Sequence, residues 1–349
     1  MQKGIGEIVT IDGAEGGGSV LRLAVGLAVA LQKPVRVVNI RGARKDPGLK
    51  AQHLAGLLAA AQLCDAHVKG ANLGSREVLF VPGRIAKRKL TAEVPTAGAV
   101  GLVLQPLQIA CLAAEHDVEV FIEGGGTFGK WAPPLPYLQH VNFALLARFG
   151  YPMQAFAERH GFYPKGGARV RATFYHPQLK GPLRFEERGQ LQSIQGLSVA
   201  ALGLKDAKVA ERQAQTAFKV LKQALPDVGI HLEAQYLDTA SLGSAVVLWA
   251  KFENTILGAD ELGERGVRAE TVGRRAAEEL LAEIRSEATL DVHMADQIIP
   301  FVALFGGVFR CREFTAHITI NLDVVEQMTG RRPCLEGRTI AFEPGLLRS

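Results

Sequence analysis

The order of secondary-structure elements repeats along this chain, and that repetition constrains its fold more than any single motif does. The first unit reads as a short strand at 6–12, a glycine-rich loop, an apolar helix SVLRLAVGLAVALQ, a buried strand PVRVVNIRG, a second helix LKAQHLAGLLAAAQL, and two closing strands, AHVKG and EVLFVPG. The second unit runs in the same order. Strand LTAEV, a small-residue loop from Pro95 to Gly98, helix AVGLVLQPLQIACLAA, strand DVEVFIEGGG, helix LPYLQHVNFALLARFG and strands MQAFAERH and ARVRATFYH follow one another. Period-two alternation marks the strands and 3.6-residue periodicity marks the helices. Two copies of a β-α-β-α-β-β unit predict an α+β layered fold, because repeated units bury their apolar faces on one another.

A third copy is expected from near residue 288 to the C-terminus, with helix ADQIIPFVALFGG and closing strand RTIAFEP. Between these lies EFTAHITIN. Phe314, Ala316, Ile318 and Ile320 are apolar, and Thr315, His317, Thr319 and Asn321 alternate with them. The alternation predicts a half-buried strand with His317 on its open face, followed by a short helix. In that reading His317 ends a strand equivalent to those ending at Arg41 and Gly124. A polar face with one imidazole and small hydroxyls can line a site, and it can equally be a solvated strand. Between the second and third copies, 184–285 reads as an inserted smaller α+β domain of ~100 residues, a normal domain size. This gives a large domain from 1–183 and 286–349. The DTASLGS and LGADELGERGVR loops within the insertion are expected to be exposed.

Composition narrows the class of protein. With 48% apolar and 21% charged residues the chain is globular in character. No apolar run reaches the roughly 18–20 residues that span a bilayer. The first residues go straight into a strand-like run without a signal-peptide core, so the expected location is cytoplasmic and no membrane is expected as a partner. Cys64, Cys111, Cys311 and Cys334 are scattered without CxxC spacing and read as reduced thiols. A net charge of +5 suits phosphorylated ligands or nucleic acid without requiring either.

Several residues carry chemistry. In EGGGSVLR, between a strand and a helix, consecutive glycines allow close backbone approach and present N–H groups to an anion. The Lys-Ser/Thr pair of a P-loop is missing. Glu15 suits a divalent cation or is a solvated loop acid. Arg22 reaches a phosphate or snorkels to the surface. Arg41, Arg44 and Lys45 form a phosphate-binding cluster or a charged loop. Gln52 and His53 begin a helix, and Gln105 within an apolar helix is a core hydrogen bonder or a ligand-facing amide. Asp296 and Gln297 open a helix, where Asp also serves as an ordinary cap. His67, His116, His140, His176 and His231 lack metal-ligand spacing.

Taken in order, these segments resemble the RNA 3′-terminal phosphate cyclase family over nearly the full chain. The resemblance rests on EGGGSVLR (15–22), IRGARKDPGLKAQHL (40–54), LGS (73–75), LVLQ (102–105), GGT (125–127), HGFYPKGG (160–167), ADQ (295–297) and AHITIN (316–321). It implies ATP-dependent conversion of an RNA 3′-phosphate to a 2′,3′-cyclic phosphodiester, with release of AMP and pyrophosphate. It also implies His317 as the adenylated nucleophile, Glu15 as the acid holding Mg²⁺ or Mn²⁺, and a nucleotide-binding set of Arg22, Arg41, Arg44, Gln52, Gln105, His293, Met294, Ala295, Asp296 and Gln297. The partners implied are RNA with a 3′-phosphate end and ATP, with a homodimer as the candidate assembly. The sequence departs from the family pattern in three places. Ala14 precedes Glu15 in a shortened loop, His293 stands where an aromatic is common, and Phe128 stands where an acid is common. Two rivals remain open to the sequence: a catalytically silent relative acting in ribosomal RNA processing, and a generic phosphate-binding α/β protein.

Overall fold

The computed structural model describes residues 7–130, 132–179 and 181–345. The first residue of the strand expected at 6–12, and the N-terminal residues behind the cytoplasmic expectation, lie outside these. The first unit comprises β1 (Val9–Asp12), α1 (Ser19–Leu31), β2 (Val35–Val38), α2 (Ala51–Cys64), β3 (His67–Lys69) and β4 (Val78–Val81). The second comprises β5 (Lys89–Ala99), α3 (Val100–Ala110), β6 (Val118–Gly126), α4 (Leu135–Tyr137), α5 (Phe143–Arg148), β7 (Met153–Arg159) and β8 (Arg169–Phe174). A π-helical turn, Leu138–Asn142, joins α4 to α5.

β9 (Leu183–Arg184) comes next, and the chain then leaves for a separate sheet and two helices. These are β10 (Leu191–Ala201), α6 (Val209–Ala224), β11 (Gly229–Leu237), β12 (Ser244–Phe252), β13 (Ile256–Leu262) and α7 (Ala269–Arg285). It returns as α8 (Val292–Phe305), β14 (Gly307–Arg310), α9 (Ala316–Thr329), β15 (Cys334–Glu336) and β16 (Thr339–Phe342).

Three of the four sheets share one topology. Their strand orders are β1-β2-β4-β3, β5-β6-β8-β7 and β9-β14-β16-β15. In each, the first two strands are parallel and the remaining pairings are antiparallel. The first strand of the third sheet, β9, precedes the β10–α7 block in sequence, so that block is an excursion from within the third unit. The fourth sheet, β11-β10-β12-β13, packs α6 and α7 around an apolar core of its own.

Two helices show why the large core forms. Ser19 through Ala30 of α1 are all buried, and α8 is buried continuously from Gln297 to Phe305. A helix apolar on every side has no solvent face and belongs inside. Gly26 lets α1 approach α3, since a Cβ there would lie 2.9 Å from the Pro106 carbonyl oxygen. No helix among the described residues is long and apolar enough to cross a membrane.

The fourth sheet meets the large core through Trp249 of β12, which stacks on His140 with ring centroids 4.1 Å apart. Asp291 completes the junction. It is fully buried and accepts hydrogen bonds from Tyr137 Oη (2.6 Å) and from Gly258 N–H in β13 (2.7 Å). The HGFYPKGG hairpin also bridges here, with Lys165 N–H donating to Ser241 Oγ at 3.0 Å. Phe128 is buried and stacks on Phe162 of that hairpin, so its side chain is committed to packing.

Two sequence expectations change. EFTAHITIN does not form a strand: Thr315 caps α9, its Oγ1 accepting Ile318 N–H at 3.2 Å, and Gly330 ends the helix in the left-handed conformation. The second strand of the third unit is β14, so His317, second residue of α9, is the topological counterpart of Gln52, second residue of α2, and not of Arg41. The segment read as an exposed glycine-rich loop after residue 256 contains β13, buried from Ile256 to Ala259.

Candidate active site

The ends of α1, α3, α8 and α9 and strand β13 enclose a cavity of about 420 Å³. That volume lies within the range of small-molecule sites. Of the residues singled out in the sequence, Arg22, Gln105, His293, Asp296, Gln297 and His317 line it. They come from all three units.

The first turn of α1, directly after the glycine loop, forms one wall through Ser19 and Arg22. Arg22 is 9% exposed, and its Nε donates to Gln105 Oε1 at 2.6 Å. Gln105 is therefore both a partner for a buried cation and a lining group. Burial lowers the Arg22 guanidinium to about 10, opposed by Asp296, so it stays charged at neutral pH. Gly18 lies against this pair. A Cβ at Gly18 would sit 2.1 Å from His53 Nε2 and 2.8 Å from an Arg22 terminal nitrogen. His53 accepts Lys50 N–H on Nδ1 at 3.3 Å, and burial together with Arg22, Arg41 and Lys50 drives its pKa down to about 3. It is a neutral prop for the loop.

Arg44 lies over Gly17, 3.3 Å from the position a Cβ would occupy there. Arg41 has φ +56 and donates to the carbonyls of Asp46 (2.7 Å) and Gly48 (3.1 Å), so one guanidinium edge fastens its own loop. Gln52 Oε1 accepts Ala99 N–H at 3.0 Å and ties α2 to the start of α3. Glu15 is exposed in the loop. Met294 and Ala295 are fully buried beneath the cavity, with their backbone N–H groups bonded to Asp291.

His317 lines the cavity from the first turn of α9, a helix whose Ile320 packs against Gly16 of the glycine loop; the dipole of a helix N-terminus favours anions. Burial lowers its pKa, and the charges of Arg22, Arg44 and His293 lower it further. A neutral imidazole beside an anion-binding helix terminus and two arginines is equipped to attack a phosphoryl group.

The remaining wall is acidic. Asp260 of β13 and Asp296 of α8 line the cavity. Burial pushes Asp260 up to about 6 and Asp296 up to about 7, with His293 opposing both. Burial alone would lower His293, but Asp260, Asp291, Asp296 and Glu283 together raise it. Asp296 is not the helix cap. That place belongs to Asp291, whose Oδ1 accepts His293 and Met294 N–H.

Sequence reasoning missed Asp260 because Gly258, Gly263 and Gly266 made the segment read as an exposed glycine-rich loop, although β13 runs through its first part. It also missed an amide network at the cavity floor, in which Gln108 donates to Asn142 (2.5 Å) and Asn142 to Gln297 (3.0 Å). A third omission, the Lys130–Glu264 ion pair at 2.7 Å, spans from the second unit to the β13 side of the cavity. The buried amides inside apolar helices were the available signal.

Residues 13–333 match the family model for RNA 3′-terminal phosphate cyclase. The chain belongs to that enzyme family. It is 40% identical over 329 residues to the RNA 3′-terminal phosphate cyclase of Methanopyrus kandleri, covering 92% of this chain and 93% of the relative. The Pyrococcus furiosus cyclase is 40% identical over 327 residues, 93% and 94% of the two chains. That of Methanothermobacter thermautotrophicus is 41% identical over 333 residues, 95% and 97%. The family match covers the glycine loop, the helix bearing His317 and the whole β10–α7 block.

Proposed function

We propose that this enzyme uses ATP to convert an RNA 3′-phosphate into a 2′,3′-cyclic phosphodiester through a covalent adenylate on His317. The observation that carries this is one cavity gathering His317, Arg22, Gln105, Asp296 and His293 from three units distant in sequence. A terminal phosphomonoester has no good leaving group, so the neighbouring 2′-hydroxyl cannot close the ring unaided. Activation solves this in steps. A ring nitrogen of His317 attacks the α-phosphorus of ATP; an N–P bond forms, the P–O bond to pyrophosphate breaks, and pyrophosphate leaves. A 3′-phosphate oxygen of the RNA then takes the AMP, forming an anhydride and freeing the imidazole. The 2′-oxygen attacks the 3′-phosphorus, loses its proton, and expels AMP.

Each step places negative charge on phosphoryl oxygens. Arg22, Arg44 and the glycine-loop N–H groups are the donors that would meet it. His293 and Pro133, both lining the cavity, are suited to enclose the nucleobase, with Asp296, Gln297 and Asp260 offering hydrogen-bond acceptors. Among the described residues no three His, Cys, Asp or Glu side chains are grouped to hold a metal. Glu15, exposed in the glycine loop, would be a single protein ligand to a cation carried mostly by phosphate oxygens and water, as Mg²⁺ is. When bound, such a cation supplies charge neutralisation at the transferring phosphoryl group.

The test is incubation with ATP labelled at the α-phosphate plus Mg²⁺ or Mn²⁺, followed by a 3′-phosphorylated oligonucleotide. The protein should take up label and lose it to RNA, and His317→Ala should take up none. Label retained in His317→Ala overturns the nucleophile. Unlabelled wild-type protein overturns the reading as a whole.

A further inference from the structure

Two buried side-chain oxygens among the described residues lack a hydrogen-bond partner, Glu283 Oε2 and Asn321 Oδ1. The first lies away from the cavity: Glu283 is not among its lining residues, and its Oε1 meets Val292 N–H at 3.3 Å and Arg312 at 3.4 Å. The second lies in it. An amide oxygen can only accept, and a buried acceptor left unmet costs free energy that a functional contact can recover.

Asn321 is 2% exposed and lines the cavity. Its amide nitrogen is committed, donating to the Asp296 carbonyl oxygen at 3.1 Å. That bond fixes the plane of the amide and leaves Oδ1 as the free end. His317 and Asn321 are the two α9 residues that line the cavity, and they are four residues apart on one helix face. Helical side chains lean toward the N-terminus, so Asn321 is directed back at the turn that carries His317. No hydrogen bond among the described residues holds either ring nitrogen of His317. The site thus contains an imidazole with an unplaced N–H and, one turn below it, an acceptor with no donor.

We infer that Asn321 is the positioning residue for the nucleophile: as the His317 ring turns into the cavity over bound nucleotide, Asn321 Oδ1 accepts the N–H of one ring nitrogen. This fixes the tautomer in which the other nitrogen presents its lone pair to the α-phosphorus. After attack the same bond stabilises the positive charge on the phosphorylated ring. An orienting acceptor of this kind is what reactive histidines use to set tautomer and ring angle. The inference rests on the proposed nucleophilic role of His317 and adds to it a specific partner.

The experiment compares wild-type protein with Asn321→Ala and Asn321→Asp in single-turnover adenylation, over a range of ATP concentrations and pH. It is paired with long-range ¹H–¹⁵N spectra of the histidine rings with α,β-methylene-ATP bound. In Asn321→Ala the maximal adenylation rate should fall about 10- to 100-fold, the range for losing an orienting partner, with half-saturating ATP unchanged. Asn321→Asp keeps an acceptor, so it should recover much of the rate. Its acidic limb should move to higher pH, because a carboxylate favours the protonated ring. The spectra should show one His317 tautomer in the wild type and a mixture in Asn321→Ala. A raised half-saturating ATP at unchanged maximal rate would mean that Oδ1 serves the nucleotide, and the inference falls. It falls also if Asn321→Ala adenylates at the wild-type rate, or if the tautomer is unchanged. Should Asn321→Ala not fold, the Asn321→Asp pH profile decides. If the wild type takes up no label, the nucleophile assignment fails separately, and the spectra still report whether the contact exists.

Discussion

Asp291 joins three parts of the molecule, and its replacement has a calculable cost. Oδ1 accepts from Tyr137 Oη, His293 N–H and Met294 N–H, and Oδ2 accepts from Gly258 N–H. Asp291→Ala removes a helix cap, about 1 kcal/mol. It also leaves the Tyr137 hydroxyl and Gly258 N–H buried without acceptors, about 1–3 kcal/mol each. One effect opposes this. Asp291 is among the charges that raise Asp260, Glu283 and Asp296, so removing it relieves that repulsion. The expected net loss is about 2–4 kcal/mol, a fall in melting temperature of roughly 4–8 °C at about 2 °C per kcal/mol for a large chain. The Asp291→Asn change relieves the same repulsion but can keep the cap oxygen, and the new amide nitrogen then opposes Gly258 N–H, donor against donor. Asp291→Asn should therefore lose less than Asp291→Ala, and Tyr137→Phe, which forfeits one hydrogen bond worth about 1 kcal/mol, least of all. Differential scanning fluorimetry at neutral pH gives the three values. The reasoning is refuted if Asp291→Ala melts within about 2 °C of wild type, less than the roughly 4 °C expected at minimum, or if Tyr137→Phe is the most damaging of the three.

Three further outcomes are expected. Gly18→Ala places a methyl 2.1 Å from His53 Nε2 and 2.8 Å from Arg22. It should raise half-saturating ATP by about tenfold or more, equivalent to about 1.4 kcal/mol; unchanged ATP dependence in labelling would contradict the assigned wall. His317 lies below its ordinary pKa through burial and the charges of Arg22, Arg44 and His293, so the acidic limb of adenylation should lie below that of a free imidazole. Arg44→Gln should shift that limb upward, and a downward shift would reverse the electrostatic argument. Glu283 is raised from 4.5 to about 8 by burial, Asp291 and Glu279, against Arg312. Between those values the folded state holds a proton that the unfolded state has lost, so stability falls as pH rises from about 5 to 8. Glu283→Gln should flatten the fall in melting temperature across that window, the remaining slope coming from Asp296 and Asp260; identical slopes would count against a protonated Glu283.

The repeated architecture was legible because each unit carries the same alternation of 3.6-residue and two-residue periods, and the three matching sheet orders answer to it. Arg22, Gln105, Asp296 and Gln297 could be named in advance because polar residues inside or opening apolar helices need a reason to be there, whereas His293 and the role of His317 came only with the family resemblance. The wall formed by Asp260 could not. It depends on Gly258 N–H reaching Asp291, 33 residues later in the chain, and on a strand whose glycine makes it read as a loop. First strands are also easily missed when they are two residues long, as β9 is, and lie before an insertion.

The misreading around His317 has a definite cause and a functional consequence. Over Phe314 to Asn321 the apolar residues do alternate, but the run continues. Ile318, Leu322, Val325 and Met328 are buried at helical spacing, with Asn321, Val324 and Thr329 beside them. A window of about eight residues samples roughly two helical turns, in which periods of about 2 and 3.6 coincide often enough to mislead; Thr315 as a cap and Gly330 as a stop decide between them. A strand would have offered His317 only an open face. A helix start instead puts the imidazole at the positive end of a helix, within reach of the charges of Arg22 and Arg44, with Asn321 one turn along the same face. The substitution Thr315→Ala tests this directly. Losing the cap should cost about 1 kcal/mol of helix stability and fray the turn that carries His317, slowing adenylation more than it lowers the melting temperature. If the rate is unaffected while the melting temperature falls, the helix start is structural only, and the advantage argued for it is absent.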